Sequence, residues 1–188
     1  MKARFLVATV VALGLWQGSA HAGLLNKNID FFYIDGTFGG EYEHVGFSGY
    51  GATATTAGSA DTWGIAYGVL AGFRIGKLSI GGLYQRTDVM SGINFLDLNK
   101  LYGEVGLNLR LGILMIVLHA DVGWAFANSR ESTFNGVGAK AGVAFDFYPI
   151  RILSIGPGAA FDVQGYSLPS GFTGSYGATF QLRVGIHI

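Results

Sequence analysis

The 188-residue chain balances twelve Lys and Arg against twelve Asp and Glu, which leaves no basic field for nucleic acid, and it has no cysteine for disulfides, thiolate metal sites or thiol nucleophiles. Only 13% of the residues are charged, against about a quarter in ordinary soluble domains, yet the mean hydropathy is +0.40. Beyond residue 22 the longest unbroken apolar stretch is Ile113 to Leu118, too short for a membrane helix, so the hydrophobicity must be distributed by alternation.

The chain begins with Met1-Lys2-Ala3-Arg4, continues with an apolar run from Phe5 to Trp16 and reaches the small-x-small sequence Ala20-His21-Ala22. That order of basic, apolar and small residues predicts a secretory signal peptide over residues 1–22, leaving residues 23–188 as a single domain. After the polar lead Asn26 to Asn28, a first strand is predicted from Ile29 to Tyr42. Phe32, Ile34, Gly36, Phe38, Gly40 and Tyr42 share one face and Tyr33, Asp35, Thr37, Gly39 and Glu41 the other. The Gly-, Ala-, Ser- and Thr-rich segment Glu43 to Ala60 reads as a loop.

The second strand, Asp61 to Ile75, sets Trp63, Ile65, Tyr67, Val69, Ala71 and Phe73 against Gly64, Ala66, Gly68, Leu70, Gly72 and Arg74. Gly76-Lys77 makes a tight hairpin to the third strand, Leu78 to Arg86, with Tyr84 on its apolar face; a loop is expected from Thr87 to Leu98. The fourth strand, Asn99 to Leu111, puts Tyr102, Glu104, Asn108 and Arg110 opposite its leucine face. The fifth, directly after Gly112, puts His119 and Asp121 opposite Trp124 and Phe126. A polar loop over Asn128 to Asn135 precedes the sixth strand, Gly136 to Tyr148, in which Lys140 and Asp146 oppose Phe145 and Phe147. A Pro149-Ile150 turn leads to the seventh, Arg151 to Gln164, interrupted at Pro157, whose missing N–H cannot serve a ladder. Gly165 to Thr173 reads as a loop before the last strand, where Tyr176, Phe180, Leu182, Val184, Ile186 and Ile188 face one way and Gln181, Arg183 and His187 the other.

Eight strands joined alternately by long and short connections imply an all-β, antiparallel, up-and-down barrel. The face rich in Trp, Phe, Leu, Ile and Val is expected outside. With the faces reversed, the surface would be glycine, alanine and serine with few charges, which is poor for solubility. Lipid-facing aromatics should then gather in interfacial girdles: Trp63, Tyr67, Tyr84, Trp124, Phe126 and Tyr176 toward the long connections, Phe145 and Phe147 toward the short turns. A lumen polar network is expected from Asp35, Glu41, Arg74, Glu104, Arg110, His119, Asp121, Lys140, Asp146 and Arg183, with Asp162 and His187 on the same face. Centring a hairpin on Leu111-Gly112 pairs Glu104 with His119 and Tyr102 with Asp121. A carboxylate beside a histidine can do acid–base work, but a charge-lined narrow barrel requires such pairing in any case, and the network reading is favoured. Closure of the last strand on the first predicts an Asp35–Arg183 ion pair across the seam.

The export signal, the eight alternating strands, the short turns at Ile75-Gly76-Lys77, Leu111-Gly112 and Pro149-Ile150, and the amphipathic strand Tyr176 to Ile188 resemble the small OmpA/OmpX-type outer-membrane β-barrels. The family usually closes on an aromatic residue, whereas this chain closes on Ile188. The resemblance implies a transmembrane barrel of the bacterial outer membrane with short periplasmic turns and longer extracellular loops. Its partners are then outer-membrane lipid, lipopolysaccharide and the barrel-insertion machinery, which reads the C-terminal strand. Three roles follow. The expected one is envelope structure or surface interaction around a side-chain-filled lumen. The second is an OmpW-like conduit for small or hydrophobic molecules, suggested by the inward Leu70, Leu83, Met115 and Val117. The third is a lipid A modifying enzyme. The deacylases of that class use a His-x-Ser arrangement, but His44, His119 and His187 are followed at that spacing by Gly46, Asp121 and the chain end, so no catalytic residue is assigned and no enzyme activity is expected. Scattered histidines without metal-ligand spacing, and glycines without a phosphate-loop pattern, assign no metal and no cofactor.

Overall fold

The computed structural model describes residues 32–47, 58–90, 95–129, 133–168 and 171–188. The signal-peptide reading, the polar lead and the first residues of the expected first strand lie outside them. Eight strands follow in chain order: β1 (Phe32–Phe47), β2 (Gly58–Ile75), β3 (Leu78–Val89), β4 (Phe95–Leu111), β5 (Leu114–Ser129), β6 (Thr133–Ile150), β7 (Leu153–Leu168) and β8 (Gly171–His187). Each pairs antiparallel with its neighbours in sequence, and β8 pairs with β1 to close the barrel.

Following directly paired residues around the wall gives the geometry. From Phe32 the path runs through Phe73, Ile80, Val105, Ala120, Ala141, Phe161 and Ala178 and returns to β1 at Tyr42, ten residues further on. Eight strands with that stagger, at ~3.3 Å per residue and ~4.8 Å between strands, tilt by about 40° around a backbone radius of about 8 Å. Side chains from opposite walls therefore meet at the axis. The bore is narrow because of its strand number and stagger, whatever its lining.

The strands outrun the expected boundaries at the long-connection end. Residues read as loop, among them Glu43 to Phe47, Thr87 to Val89 and Gly165 to Leu168, are ladder. The outer face turns polar there, with His44, Asp61, Arg86, Asp88, Asp97, Asn99, Asn128 and Asn135, so hydrophobic alternation fades while backbone pairing continues. Alternation reports contact with an apolar medium, whereas backbone N–H and C=O groups need partners whether or not that medium is present. The third short turn also differs. It is Arg151-Ile152, since β6 runs through Pro149 and Ile150 and the ladder slips between Phe147 and Ile150. A strand beginning at Arg151 would turn Ile152 inward with Ser154 and Gly156; it is instead exposed at this turn. Pro157 stays within β7: it pairs with Leu182 of β8, and the β6–β7 ladder skips its position between Ala144↔Gly158 and Phe147↔Ile155. Gly76 and Gly112 open the other two turns at φ +62° and +67°, a conformation that costs any side chain.

Outside, the barrel is apolar. Trp63, Val105, Trp124, Phe145, Phe147, Tyr176, Phe180 and Ile186 are among its exposed residues, Trp124 at 62%, and Phe126 is half-buried. Tyr42 and Trp63 meet edge to face at 5.7 Å, and at the opposite end Phe32 leans on Phe73 at 5.6 Å. The upper tyrosines direct their hydroxyls to the polar rim: Tyr42 donates to Asp61 (2.7 Å), Tyr67 to Asp88 (3.2 Å) and Tyr84 to Asn99 (2.9 Å). An aromatic ring in hydrocarbon with its hydroxyl among polar groups is the arrangement favoured at a membrane–water boundary. No helix among the described residues is long and apolar enough to cross a membrane, and it is the strands that carry the apolar surface.

Inside, glycine makes the room. A methyl group added to Gly72 or Gly81 would press on the Tyr33 hydroxyl at 2.7 or 2.8 Å, and one on Gly142 would meet His119 Nε2 at 2.5 Å. The inward glycines are the recesses that receive the large inward side chains. Tyr33, Leu70, Leu83 and Tyr102, from β1 to β4, form one buried apolar cluster, and Met115, Val117, Ala144 and Tyr148, on the adjacent β5 and β6, another.

Candidate functional site

The polar lumen is the concentration of chemistry in this chain. Because the strands are tilted and staggered, residues distant in sequence reach the axis at the same height. Asp35, Glu41, Arg74, Glu104, His119, Asp121, Lys140, Asp146 and Arg183 are all buried in the lumen, with Asp162 and His187. Arg110 is not. It is exposed at the turn-side mouth, where its Nε donates to the Gly112 carbonyl (3.3 Å) and its guanidinium lies 5.4 Å from the Tyr148 ring centre. Its strand ends one residue later, so the side chain reaches water instead of the bore.

The upper lumen is built around Lys100, a residue the strand reading left unplaced although it shares the parity of Tyr102 and Glu104. Its ammonium donates to Glu41 and Asp162 and, at 2.9 Å, to Glu43. Lys100, Glu41, Glu43 and Asp162 each have 1% exposure or less. β4 lies three strands from β1 in one direction and three from β7 in the other, so these ion pairs cross the bore and do not run along the wall. Amides and hydroxyls complete the shell: Gln85 donates to Glu41 (2.7 Å), Thr87 donates to Glu41, and Gln164 donates to Glu43 (2.6 Å) and Asp162 (3.0 Å). Lys140 links this tier downward through Gln85 Oε1 (2.6 Å). Glu43 was missed because it fell beyond the apolar alternation, although it keeps the parity of Glu41.

In the lower lumen Arg183 donates to Asp35 across the β1–β8 seam at 2.5 Å, and its Nε stands 3.8 Å from Asp146. The pair is diagonal, since Arg183 sits directly opposite Thr37, and Asp35 opposite Gly185. The expected Glu104–His119 pairing is corrected by register: the β4–β5 turn is Gly112-Ile113, so Glu104 faces Asp121, Tyr102 faces Gly123 and His119 faces Gly106. His119 still approaches both carboxylates, with Nδ1 at 3.1 Å from Asp121 and 3.8 Å from Glu104.

A serine, a histidine and an aspartate do meet at the turn-side end. Ser154 Oγ is 2.7 Å from His187 Nε2, and Asp35 Oδ1 is 3.8 Å from the same nitrogen. A catalytic triad divides nucleophile and carboxylate between the two ring nitrogens. Here both approach Nε2, while Nδ1 faces the Tyr148 hydroxyl and Arg74 Nη1, each at 3.4 Å. His187 is 1% exposed and Ser154 2%, so this arrangement is a packed, buried hydrogen-bond cluster.

No protein-family model matches the sequence, and comparison with curated proteins finds no match. Among solved structures, Neisserial surface protein A superposes with a TM-score of 0.59 over 84% of this chain and 97% of that one, at 15% identity. Looser likenesses, with TM-scores of 0.43 and 0.42, are to the Escherichia coli outer membrane protease OmpT (6% identity, 85% and 97% covered) and to the N-terminal β-barrel domain of Pseudomonas aeruginosa OprF (16% identity, 80% and 96% covered). With its closed antiparallel wall, ten-residue stagger, apolar exterior and charged interior, the chain has the fold of the small eight-stranded outer-membrane β-barrels.

Proposed function

We propose that this protein is a non-enzymatic integral barrel of the bacterial outer membrane, sealed through its lumen, which serves envelope structure or surface interaction from its long-connection end. The observation that carries the reading is the Lys100 cluster, in which an ammonium is held by carboxylates from opposite sides of the bore. A conduit needs a mobile or water-filled path, and a buried charge with three ion-pair partners is the group least able to move aside. The inward apolar residues that suggested a conduit support the seal too, since Leu70 and Leu83 pack on Tyr33 and Tyr102, and Met115 and Val117 on Tyr148.

What remains to face a partner is the rim. Above the aromatic belt it presents a fixed polar band in which Arg86 holds Asp88 (2.8 Å) and Asp97 (3.1 Å), and His44 Nδ1 meets Asp61 at 2.8 Å. On this reading outer-leaflet lipid and lipopolysaccharide headgroups lie against the band. The outward residues Phe180, Leu182, Val184 and Ile186 of β8 are the surface offered to the insertion machinery during assembly.

The test is conductance of the purified, folded barrel in planar bilayers at molar salt. A flat baseline is expected, and stable single-channel steps would overturn the sealed-lumen reading. Fractionation of expressing cells checks the location: heat-modifiable protein in the outer-membrane fraction is expected, and recovery as soluble periplasmic protein would sink the membrane reading.

A further inference from the structure

The buried carboxylates that face the lumen differ in what neutralises them. Around Glu41, Glu43 and Asp162 the neutralising group is Lys100. Around Glu104 and Asp121, no lysine or arginine among the described residues forms an ion pair; Arg183 pairs with Asp35, and Lys140, directly opposite Asp121 on β6, gives its ammonium to Gln85. Yet Glu104 and Asp121 face each other directly across the β4–β5 ladder, 3% and 1% exposed. Like charges in that relation repel, and burial removes the water that would screen them. The lumen as a whole repeats the imbalance. Its buried carboxylates are Asp35, Glu41, Glu43, Glu104, Asp121, Asp146 and Asp162, against the cations Arg74, Lys100, Lys140 and Arg183.

The group that converges on the Glu104–Asp121 pair is His119. Its Nδ1 stands 3.1 and 3.2 Å from the two Asp121 oxygens and 3.8 Å from Glu104 Oε2, and one ligand atom from each residue lies within 4.8 Å of the others. Ligand atoms bound tetrahedrally to an ion at about 2.0–2.1 Å stand about 3.3–3.4 Å apart, so the separations around Nδ1 bracket what a zinc-sized cation requires. The other ring nitrogen points away from the carboxylates. Nε2 lies over Gly142, where even a methyl group would come within 2.5 Å, which leaves Nδ1 as the nitrogen presented to the pair. Glu104 has no other ion-pair or hydrogen-bond partner among the described residues.

We propose that Glu104, His119 and Asp121 bind one divalent transition-metal cation of the zinc or cobalt class, through one imidazole nitrogen and two carboxylate oxygens, with water completing the shell. The mixed donor set suits these ions better than calcium or magnesium, which prefer oxygen alone. The ion ties β4 to β5 in the lower lumen and supplies the positive charge that Lys100 supplies above. Because the lumen is packed, it is loaded as the barrel folds.

The experiment refolds chelator-treated, denatured protein into detergent micelles with excess Co²⁺ or Zn²⁺, removes unbound metal by gel filtration, and measures metal by mass spectrometry and the visible spectrum of the cobalt form. About one equivalent per barrel is expected. His119→Gln and Glu104→Gln should each lower retention at least tenfold, while Glu43→Gln, in the Lys100 cluster, should retain it; heat-modifiable migration verifies folding of each. Wild-type barrel holding less than a tenth of an equivalent, or a folded His119→Gln barrel holding as much as wild type, overturns the proposal. If His119→Gln does not fold, Glu104→Gln and the zinc dependence of the wild-type urea midpoint decide: a midpoint unmoved by zinc also overturns it.

Discussion

Replacing Lys100 with methionine keeps most of the side-chain volume and removes the ammonium, leaving Glu41, Glu43 and Asp162 with no ion-pair partner among the described residues. Removing one partner of a buried ion pair costs about 3–5 kcal/mol, and here one cation serves three carboxylates, which places the expected loss at the upper end of that range. Proton uptake bounds it. Placing a proton on a carboxylate of ordinary pKa near 4.3 costs about 3.7 kcal/mol at pH 7, at 1.36 kcal/mol per unit, and about 1 kcal/mol at pH 5. The folded variant thus binds protons that its unfolded chain releases, so its stability rises as pH falls, and its deficit against wild type should narrow from about 5 to about 1 kcal/mol between pH 8 and pH 5. Urea unfolding in lipid vesicles measures this, followed by the fluorescence of Trp63 and Trp124, both exposed on the outer wall. An unchanged slope against urea ties the shift to stability. A deficit below about 1 kcal/mol at pH 8, or one that does not narrow in acid, would refute the argument, since a mere packing defect has no reason to follow pH.

At the seam, Asp35→Asn and Arg183→Gln should each destabilise the barrel, and the double variant should be less unstable than their sum by about 1–3 kcal/mol; strict additivity in the same assay would mean that the two side chains do not interact. On the outer wall, Val105→Arg should cost about 2–4 kcal/mol in vesicles while Asn135→Arg at the rim costs about 1 or less, and equal costs would argue against a lipid boundary between them. Among the glycines, Gly142→Val should lose about 1–3 kcal/mol by driving into His119, the Ala159 carbonyl and Ala160, whereas Gly40→Ala, with nothing within 4 Å, should stay within about 0.5 kcal/mol. Equal effects at these two glycines would show that the recess is not used.

The two faces of every strand could be read because a period of two survives any even shift in pairing. Partners could not, for the same reason. Centring the fourth hairpin on Leu111-Gly112 instead of Gly112-Ile113 leaves Glu104 and Asp121 on the correct face and exchanges who sits opposite whom. Ile113 misleads because an apolar residue in a turn looks like strand. At the third turn Pro149 misleads in the opposite sense, since it looks like a turn and is ladder. Strand ends were lost where His44, Asp61 and Arg86 replace the apolar outer residues, and with them went Glu43. Lys100 was within reach by parity alone, but its role was not, because nothing local to β4 says that β1 and β7 come to meet it.

That meeting follows from the closure itself. Lipid outside requires an apolar exterior, so the chain's charges, except at the rim and turns, have only the interior, and eight strands with this stagger leave a radius that one long side chain spans. An inward lysine on β4 must then end against whatever β1 and β7 present at its height, and the sequence presents carboxylates there. The pairing of charges inside the bore is thus not an addition to the barrel. It arises because charge is confined to a narrow bore, where an inward ionised group meets its counter-ion, as Lys100 does across the axis and Arg183 across the β1–β8 seam. Glu104 and Asp121 are the pair for which the chain provides no such lysine, and His119 between them is why the lower lumen, rather than the more heavily charged upper one, is where a cation from outside the chain belongs.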